Sequence, residues 1–274
     1  MTTVALGDRM KAYEHVSQIE LTPRMPMIVR IDGRAFHTYT RGFDKPWSDP
    51  IREALTAAAD ALLSEISGSK IAYCQSDEIS VLVTDYDKLD SQPWFGKSVQ
   101  KICSVTASIA TVAFNDAMAR CRTTWEGGAR YTTEIPGSRR AQFDSRCFTI
   151  PREDVGNYFL WRQRDATRNS VAALGQAHFS SRQLHGKSGP QIQDMLHEIG
   201  INWNDCDTWK KRGWCVRREP REIEPGRVRP VIVLDMEIPI FSGQIPYFDP
   251  YINADLEHGR DQDQTNDAPT TDPT

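Results

Sequence analysis

Residues 27–37, MIVRIDGRAFH, and residues 70–84, KIAYCQSDEISVLVT, decide the fold. The first stretch contains an apolar run, Met27 to Ile31, that ends at Asp32-Gly33, which is typical of a buried strand running into a turn. The second contains two short apolar runs on either side of Ser76-Asp77-Glu78. This pattern predicts a hairpin whose turn presents the acidic side chains.

Helical patterns alternate with these strands. Residues 143–150, FDSRCFTI, predict one further strand. Capping residues and apolar spacing predict helices from Asp49-Pro50 onward, from Lys97 to Arg120, from Asp154 to Phe179, and from Gly189-Pro190 to Gly200. The order strand, helix, strand, strand, helix, strand indicates an α+β fold. We expect a ferredoxin-like antiparallel sheet with helices packed on one of its faces.

The composition excludes several classes of protein. Of the 274 residues, 39% are hydrophobic and 26% are charged, so the chain is neither fibrous nor wholly disordered. Its six cysteines are scattered without a C-x-x-C pair, which favours neither a disulfide scaffold nor a cysteine-rich zinc site. The N-terminal residues do not resemble a signal peptide. We expect no membrane-spanning segment and a cytoplasmic location.

Charge is distributed unevenly along the chain. The net charge is −4, but residues 255–274 contain six acids and one arginine, so the other 254 residues carry about +1. Because residues 255–274 offer almost no apolar surface to bury, we predict a disordered acidic tail there. Residues 1–250 are predicted to form one domain with a basic C-terminal extension, since Trp209 to Arg229 contains eight Lys or Arg against three Glu. Such a basic patch is typical of RNA-binding proteins.

Asp32 and Asp77 are candidate metal ligands. Carboxylates at the ends of adjacent strands can converge, and Mg²⁺ prefers one or two carboxylates together with substrate phosphates. The backbone from Gly33 to His37 can donate N–H groups to a triphosphate. These residues also have simpler interpretations. Asp32 can be an ordinary turn residue, Asp77 and Glu78 can lie at an exposed hairpin tip, and His37 can be a surface residue. The sequence contains neither a P-loop nor a dinucleotide-binding fingerprint.

Two basic segments are candidate RNA contacts. Arg162, Asp165 and Asn169 share one helix face by their spacing, and Arg168 lies beside them. Arginine and asparagine on one face suit phosphate and base contacts. The run Lys210-Lys211-Arg212 lies between two tryptophans, a combination that suits RNA. An Arg–Asp pair on a solvated helix and a solvated basic run are the alternative interpretations.

An ordered set of segments resembles the tRNA-His guanylyltransferase family and its bacterial and archaeal Thg1-like relatives. Members of this family act as 3′-to-5′ RNA polymerases that add nucleotides to the 5′ end of tRNA. The matching segments cover roughly residues 26 to 215 and are, in chain order, VRIDGRAFH, KPW, YCQSDEISVLV, WFGKSVQK, FDSRCFTIPR, YFLWRQRDATRNS, LHGK and WKKRG.

The resemblance implies a polymerase-type palm as the catalytic domain, with two Mg²⁺ ions held by Asp32, the Gly33 carbonyl and Asp77. It implies GTP and ATP as substrates, tRNA as partner and a homotetramer as assembly. The implied catalytic residues are Asp32, Lys45, Ser76 and Asp77. The implied nucleotide-binding residues are Asp32, Gly33, Arg34, Ala35, Phe36, His37, Ser76, Asp77 and Lys101.

The chemistry implied by the resemblance has three steps. ATP adenylylates the tRNA 5′-monophosphate, the 3′-OH of the incoming GTP attacks the activated phosphate, and pyrophosphate is then removed. The chain departs from the eukaryotic members at residues 167–173, TRNSVAA, where those enzymes carry HINNLYN and only Asn169 is shared. This departure fits the Thg1-like branch, which is associated with template-directed 5′-end repair.

Two other functions remain open from the residues alone. A palm-fold nucleotidyl cyclase, or another nucleotidyltransferase without tRNA, would use the same paired aspartates, although the basic segments count against it. A ferredoxin-like RNA-binding module without catalysis would explain the basic patch. It would leave unexplained two acids that repel phosphate in the absence of a metal.

Overall fold

The computed structural model describes residues 5–123, 139–224, 226–242 and 246–253, so the predicted tail at 255–274 lies outside the described residues. Six strands form an antiparallel sheet in the order β4-β1-β3-β2-β5-β6. The strands are β1 Met27–Gly33, β2 Ser69–Gln75, β3 Glu78–Val83, β4 Phe143–Thr149, β5 Trp214–Glu224 and β6 Arg227–Asp235.

Nine α-helices lie among the described residues, together with short 3₁₀ turns at Trp94–Lys97 and Trp203–Asp205. The helices are α1 Leu6–His15, α2 Phe36–Tyr39, α3 Asp49–Glu65, α4 Val99–Thr123, α5 Arg152–His178, α6 Ser181–Leu184, α7 Gly189–Glu198, α8 Thr208–Arg212 and α9 Asp249–Ile252. The predicted α+β fold with an antiparallel sheet is therefore confirmed.

Helices cover both faces of the sheet, which corrects the expectation of a single covered face. Val29 and Ile31 of β1 pack in a core with α3 and α4. Ile28, on the opposite face of the same strand, packs in a second core with Val155 and Phe159 of α5. Strands buried on both faces need continuous apolar runs rather than alternation. Three consecutive apolar residues occur in β1, Met27 to Val29, and in β3, Val81 to Val83, and they indicate a two-sided burial that the sequence interpretation did not use.

The hairpin of β5 and β6 was missed by the sequence interpretation, which treated residues 209–229 only as a basic surface. Its inner end pairs with β2, with Trp214 opposite Cys74, and Trp214 is buried. Its outer part pairs only within the hairpin and is exposed, with Pro220 opposite Pro230. Charged residues and prolines are tolerated at such an edge, so the usual apolar strand signal is absent.

Helix α4 corrects the expectation that no segment has membrane-spanning character. Judged by length and composition alone, its residues Val99–Cys121 are apolar enough to cross a membrane. In this fold Ile102, Ala110, Phe114 and Met118 of α4 are buried in the core with α3 and the sheet. This packing accounts for the apolar side of the helix.

Gly213, directly before β5, leads to a testable prediction. Its φ is +81°, and an added Cβ would lie 2.3 Å from the Cys74 carbonyl oxygen. Gly200 has φ +79° with nothing within 4 Å of its Cβ position, so it shares the backbone strain without the collision. We expect Gly213→Ala to lower the free energy of unfolding by about 3 kcal/mol and Gly200→Ala by about 1 kcal/mol. Urea unfolding measures both, and equal losses would contradict the steric explanation.

Candidate active site

Two acidic turns meet at one end of the sheet. β1 and β3 pair with Asp32 opposite Glu78, and the Gly33 N–H donates to the Asp77 carbonyl oxygen at 3.0 Å. A Cβ on Gly33 would lie 3.0 Å from the Asp77 Cβ, so glycine allows this close approach. Ser76 adopts a positive φ of 48°, which is uncommon outside glycine. The pairing of the strands thus brings Asp32 and Asp77 to the same end of the sheet, as predicted.

The segment after Gly33 turns at once into the short helix α2. Ala35 has a positive φ of 50°, and Phe36 is anchored by aromatic contacts with Phe114 and Phe143. The first amides of a helix, here those of Phe36 and His37, have no partner within the helix. Arg34 differs, because its N–H donates to the Gln142 carbonyl at 2.8 Å. The Gly33 N–H is also engaged, with the Asp77 carbonyl oxygen. The expectation that the Gly33 and Arg34 amides are available to a triphosphate is therefore not supported.

A cavity of about 580 Å³ opens beside the two turns. It lies between the loop before α3, the β2–β3 turn, the middle of α5, and α8. It brings together several residues that the sequence singled out: His37, Lys45, Ser76, Asp77, Asn169, Lys210 and Arg212. The structure therefore unites the nucleotide and RNA candidates around one space.

The surroundings of the two turns disfavour the ionised form of Asp77. Burial raises the pKa of Asp77, and the negative charges of Asp32 and Glu78 raise it further, although the Ser76 hydroxyl opposes them by hydrogen bonding. Asp32 is approached by Arg30 Nη2 at 3.2 Å. A cation bound between the two aspartates would remove the repulsion that raises the Asp77 pKa.

Glu78 and Arg162 form a buried ion pair, which corrects the expectation that Arg162 contacts tRNA. The guanidinium donates from Nε to Glu78 Oε1 at 2.7 Å and from Nη2 to Glu78 Oε2 at 2.6 Å. Arg30 approaches the same carboxylate at 3.0 Å. Arg162 is only 5% exposed. A buried carboxylate requires such partners, so Arg162 is committed to the interior.

The other RNA candidates occupy different positions. Arg168 is exposed and pairs with Asp165 at 2.6 Å, outside the cavity. Asn169 lines the cavity, as does Lys210, which pairs with Asp207 at 2.7 Å. Lys211 lies outside the cavity and donates to the Asn204 carbonyl at 2.5 Å.

The structure does not bring Lys101 to the cavity. Lys101 lies in the first turn of α4, two residues before Cys103, whose sulfur is 3.8 Å from the sulfur of Cys147. Cys147 pairs with Val29, three residues before Asp32 along β1. Three residues of a strand span about 10 Å, so the start of α4, on its face of the sheet, lies about 10 Å along β1 from Asp32. The expected contact between Lys101 and a phosphate over the turn after β1 is therefore not supported.

The donor set at the turns fits Mg²⁺. Asp32 and Asp77 supply two carboxylates, and the Gly33 carbonyl can supply a third oxygen. Glu78 is not available because it is buried and both of its oxygens accept from Arg162, whereas Arg30 and Arg146 approach only Oδ2 of the half-buried Asp32. Among the described residues there is no group of three or more His, Cys, Asp or Glu that could hold a metal. A closed zinc-type site uses such a group, whereas Mg²⁺ commonly binds one or two carboxylates plus substrate phosphates.

Aromatic and basic residues of the cavity wall were missed or left unassigned by the sequence interpretation. Trp47 and Trp209 line the cavity, and the Lys210 ammonium lies 5.8 Å and 5.4 Å from their ring centroids. Arg52, at the start of α3, also lies over the Trp209 ring at 5.5 Å. Trp47 had a sequence signal in the KPW segment, and Trp209 and Lys210 had one in WKKRG. Arg52 had none, because the elements that complete the wall are distant along the chain.

Comparisons with known proteins identify the family. A family model described as tRNAHis guanylyltransferase matches residues 7–151, more than half of the chain. The chain belongs to this family. It is therefore a nucleotidyltransferase, which counts against an RNA-binding module without catalysis. The description of the family favours the tRNA nucleotidyltransferase over the cyclase.

Solved structures and curated relatives agree with this assignment. A bacterial tRNA-His guanylyltransferase-like protein in complex with ATP is 42% identical, with a TM-score of 0.79 over 92% of this chain and 100% of that one. A GTP complex of such a bacterial protein is 41% identical, with a TM-score of 0.75 over 90% of this chain and 98% of that one. The tRNA-His guanylyltransferase of Neurospora crassa is 27% identical over 78% of this chain and 75% of its own.

Proposed function

We propose that this member of the tRNA-His guanylyltransferase family adds nucleotides to the 5′ end of tRNA in the 3′-to-5′ direction. The convergence of Asp32 and Asp77 beside a cavity lined by Lys45, Lys210 and Arg212 carries the proposal. Acids suited to Mg²⁺ and cations suited to phosphates meet at one place. A nucleotidyl cyclase would need the acids but no RNA surface.

Asp32, Asp77 and the Gly33 carbonyl would hold the metal ions. Bound Mg²⁺ supplies neutralisation of phosphate charge and helps to orient an in-line displacement. The protein contributes the fixed positions of the two carboxylates, which the β1–β3 pairing and the Gly33–Asp77 hydrogen bond set.

The nucleoside triphosphate would lie in the cavity, with the amides of Phe36 and His37, the Ser76 hydroxyl and the Lys45 ammonium around its phosphates. Lys45 Nζ lies 3.4 Å from Thr40 Oγ1, and this weak contact leaves it free to donate to a phosphate. The bacterial relatives of similar structure bind ATP and GTP. Both nucleotides suit the proposed sequence, in which ATP activates the tRNA 5′-phosphate by adenylylation. Adenylylation releases pyrophosphate from ATP. The 3′-OH of GTP then attacks the activated tRNA phosphate and AMP leaves, and the 5′-triphosphate of the added nucleotide later loses pyrophosphate.

The experiment that tests the proposal uses a 5′-phosphorylated tRNA transcript with ATP, labelled GTP and Mg²⁺. We expect the labelled nucleotide to appear at the tRNA 5′ end. Comparison of full-length and 5′-truncated transcripts then distinguishes a single addition from 5′-end repair. We favour repair, because the chain is 42% identical to a bacterial relative and 27% identical to the Neurospora enzyme. A cyclic nucleotide product would instead support the cyclase, and binding without any product would contradict catalysis.

The tRNA surface leads to a second prediction. Arg168 is exposed on α5 next to the cavity residue Asn169, and we expect Arg168→Ala to raise the KM for tRNA several-fold. It should also reduce by about one the slope of log affinity against log salt concentration, because one phosphate contact is lost. The measurement is tRNA affinity at several salt concentrations, with Arg9→Ala on α1 as the matched control. Salt-independent tRNA binding by the unaltered protein would count against the whole surface.

A further inference from the structure

Arg212 is held in a fixed position at the edge of the sheet. The Tyr73 hydroxyl donates to the Arg212 carbonyl oxygen at 2.7 Å, and the following Gly213 packs directly on β2. Trp214 then pairs with Cys74, next to the end of β2. The backbone of Arg212 therefore cannot move away from the turn that carries Ser76 and Asp77.

The guanidinium of Arg212 differs from two other cations that line the cavity, Arg52 and Lys210. Arg52 pairs with Asp49 at 3.3 Å and with Glu53 at 3.2 Å, and Lys210 pairs with Asp207. Within the described ranges, no hydrogen bond or ion pair is made by the Arg212 guanidinium, although the residue is half-buried. A partly desolvated cation without a partner favours the binding of an anion at that place.

The order of the strands indicates which kind of anion could contact both the Arg212 guanidinium and a metal held by the carboxylates. β3 begins at the acidic turn, β2 lies beside it, and β5 with Arg212 lies beside β2. Neighbouring strands are about 4.8 Å apart, so the start of β5, two residues after Arg212, lies about 10 Å from the start of β3, one residue after Asp77. Arg212 is therefore on the side of the acidic turn away from Asp32. An extended polyphosphate lying across these strand ends would have the carboxylates and their metal at one side and the guanidinium at the other. A single phosphate of a tRNA backbone would need only one of them.

We infer that Arg212 is a ligand for the phosphates of the bound nucleoside triphosphate and does not belong to the tRNA surface. This inference rests on the proposed function, because it assumes that the cavity is the nucleotide site. It separates Arg212 from its neighbours Lys210 and Lys211, with which the sequence had grouped it. The planar guanidinium can form two parallel hydrogen bonds to phosphate oxygens, which a lysine cannot match.

The test measures equilibrium binding of ATP, ADP and adenosine in the presence of Mg²⁺ and the absence of tRNA. We expect Arg212→Gln to weaken ATP binding by about 10- to 100-fold, because a hydrogen-bonded charge is lost. Adenosine binding should change less than twofold. Arg212→Lys should fall between Arg212→Gln and the unaltered protein, and Arg9→Gln on the exposed helix α1 is the matched arginine control.

The outcomes separate this inference from its alternatives. Unchanged ATP binding in Arg212→Gln, or equal losses for ATP and adenosine, would overturn it. A loss of tRNA affinity measured without nucleotide, with ATP affinity retained, would return Arg212 to the tRNA surface. If Arg212→Gln has a lower melting temperature than the unaltered protein, the binding of ATP and of adenosine by Arg212→Lys tests the inference instead. Arg212-dependent ATP binding in a protein that never extends tRNA would support the inference while contradicting the proposed function.

Discussion

Replacing Asp77 with asparagine is expected to lower the rate of nucleotide addition by at least ~10³-fold, because the neutral amide binds Mg²⁺ poorly and the bound metal supplies several kcal/mol of charge stabilisation. Asp32→Asn should be comparably severe. The measurement is single-turnover addition to 5′-phosphorylated tRNA. The control is Asp60→Asn, which removes an exposed carboxylate on α3 that does not line the cavity.

Asp77→Asn should melt at a higher temperature than the unaltered protein when divalent cations are removed at neutral pH. Burial and the charge of Asp32 raise the pKa of Asp77 in the folded state, so ionisation of Asp77 opposes folding. This cost appears as pH rises through the ordinary aspartate pKa and is complete above the raised folded-state pKa. The difference in melting temperature should therefore disappear in acid. Near-normal activity of Asp77→Asn would contradict the metal assignment, and an unchanged melting temperature would contradict the electrostatic explanation.

The central part of the fold could be predicted because its signals are local. The runs around Asp32 and around Ser76 each combine apolar residues with a turn, and antiparallel neighbours must then place both turns at one end of the sheet. The β5–β6 hairpin gave no such signal. Its outer half is exposed, and in the part of the chain that the structure describes no strand lies beyond β6, so charges and prolines replace the apolar pattern.

Sequence spacing predicted which site residues share a helix face, but not whether that face is buried. Spacing correctly placed Arg162 and Asp165 on one helix face, and the two lie 3.1 Å apart. It could not show that this face is buried, because the deciding partner, Glu78, is 84 positions away along the chain. Lys101 was misplaced for a related reason: a matching motif fixes a residue on its helix, whereas the end of the sheet that the residue reaches depends on how α4 packs along β4.

The buried pair gives the second large expected effect, which is on stability. Replacing Arg162 with methionine leaves Glu78 buried at 4% exposure with only Arg30 as its cationic partner. We expect the free energy of unfolding to fall by about 3 kcal/mol, as measured by urea denaturation. Ser80 and Tyr158 extend the same network, with the two hydroxyl oxygens 2.8 Å apart, so the loss should also reach the packing of α5 on the sheet.

A double variant distinguishes this structural role from an RNA contact. Glu78→Gln combined with Arg162→Met removes both charges, and it should recover much of the stability that Arg162→Met loses, because no uncompensated carboxylate remains in the interior. Arg168→Ala, nearly two helical turns further along α5 on an exposed residue, should leave stability within about 0.5 kcal/mol while weakening tRNA binding. An Arg162→Met protein that is as stable as the unaltered one but binds tRNA poorly would show that the guanidinium leaves Glu78 for a phosphate. The burial, the two short hydrogen bonds and the contact with Asp165 all favour the opposite result.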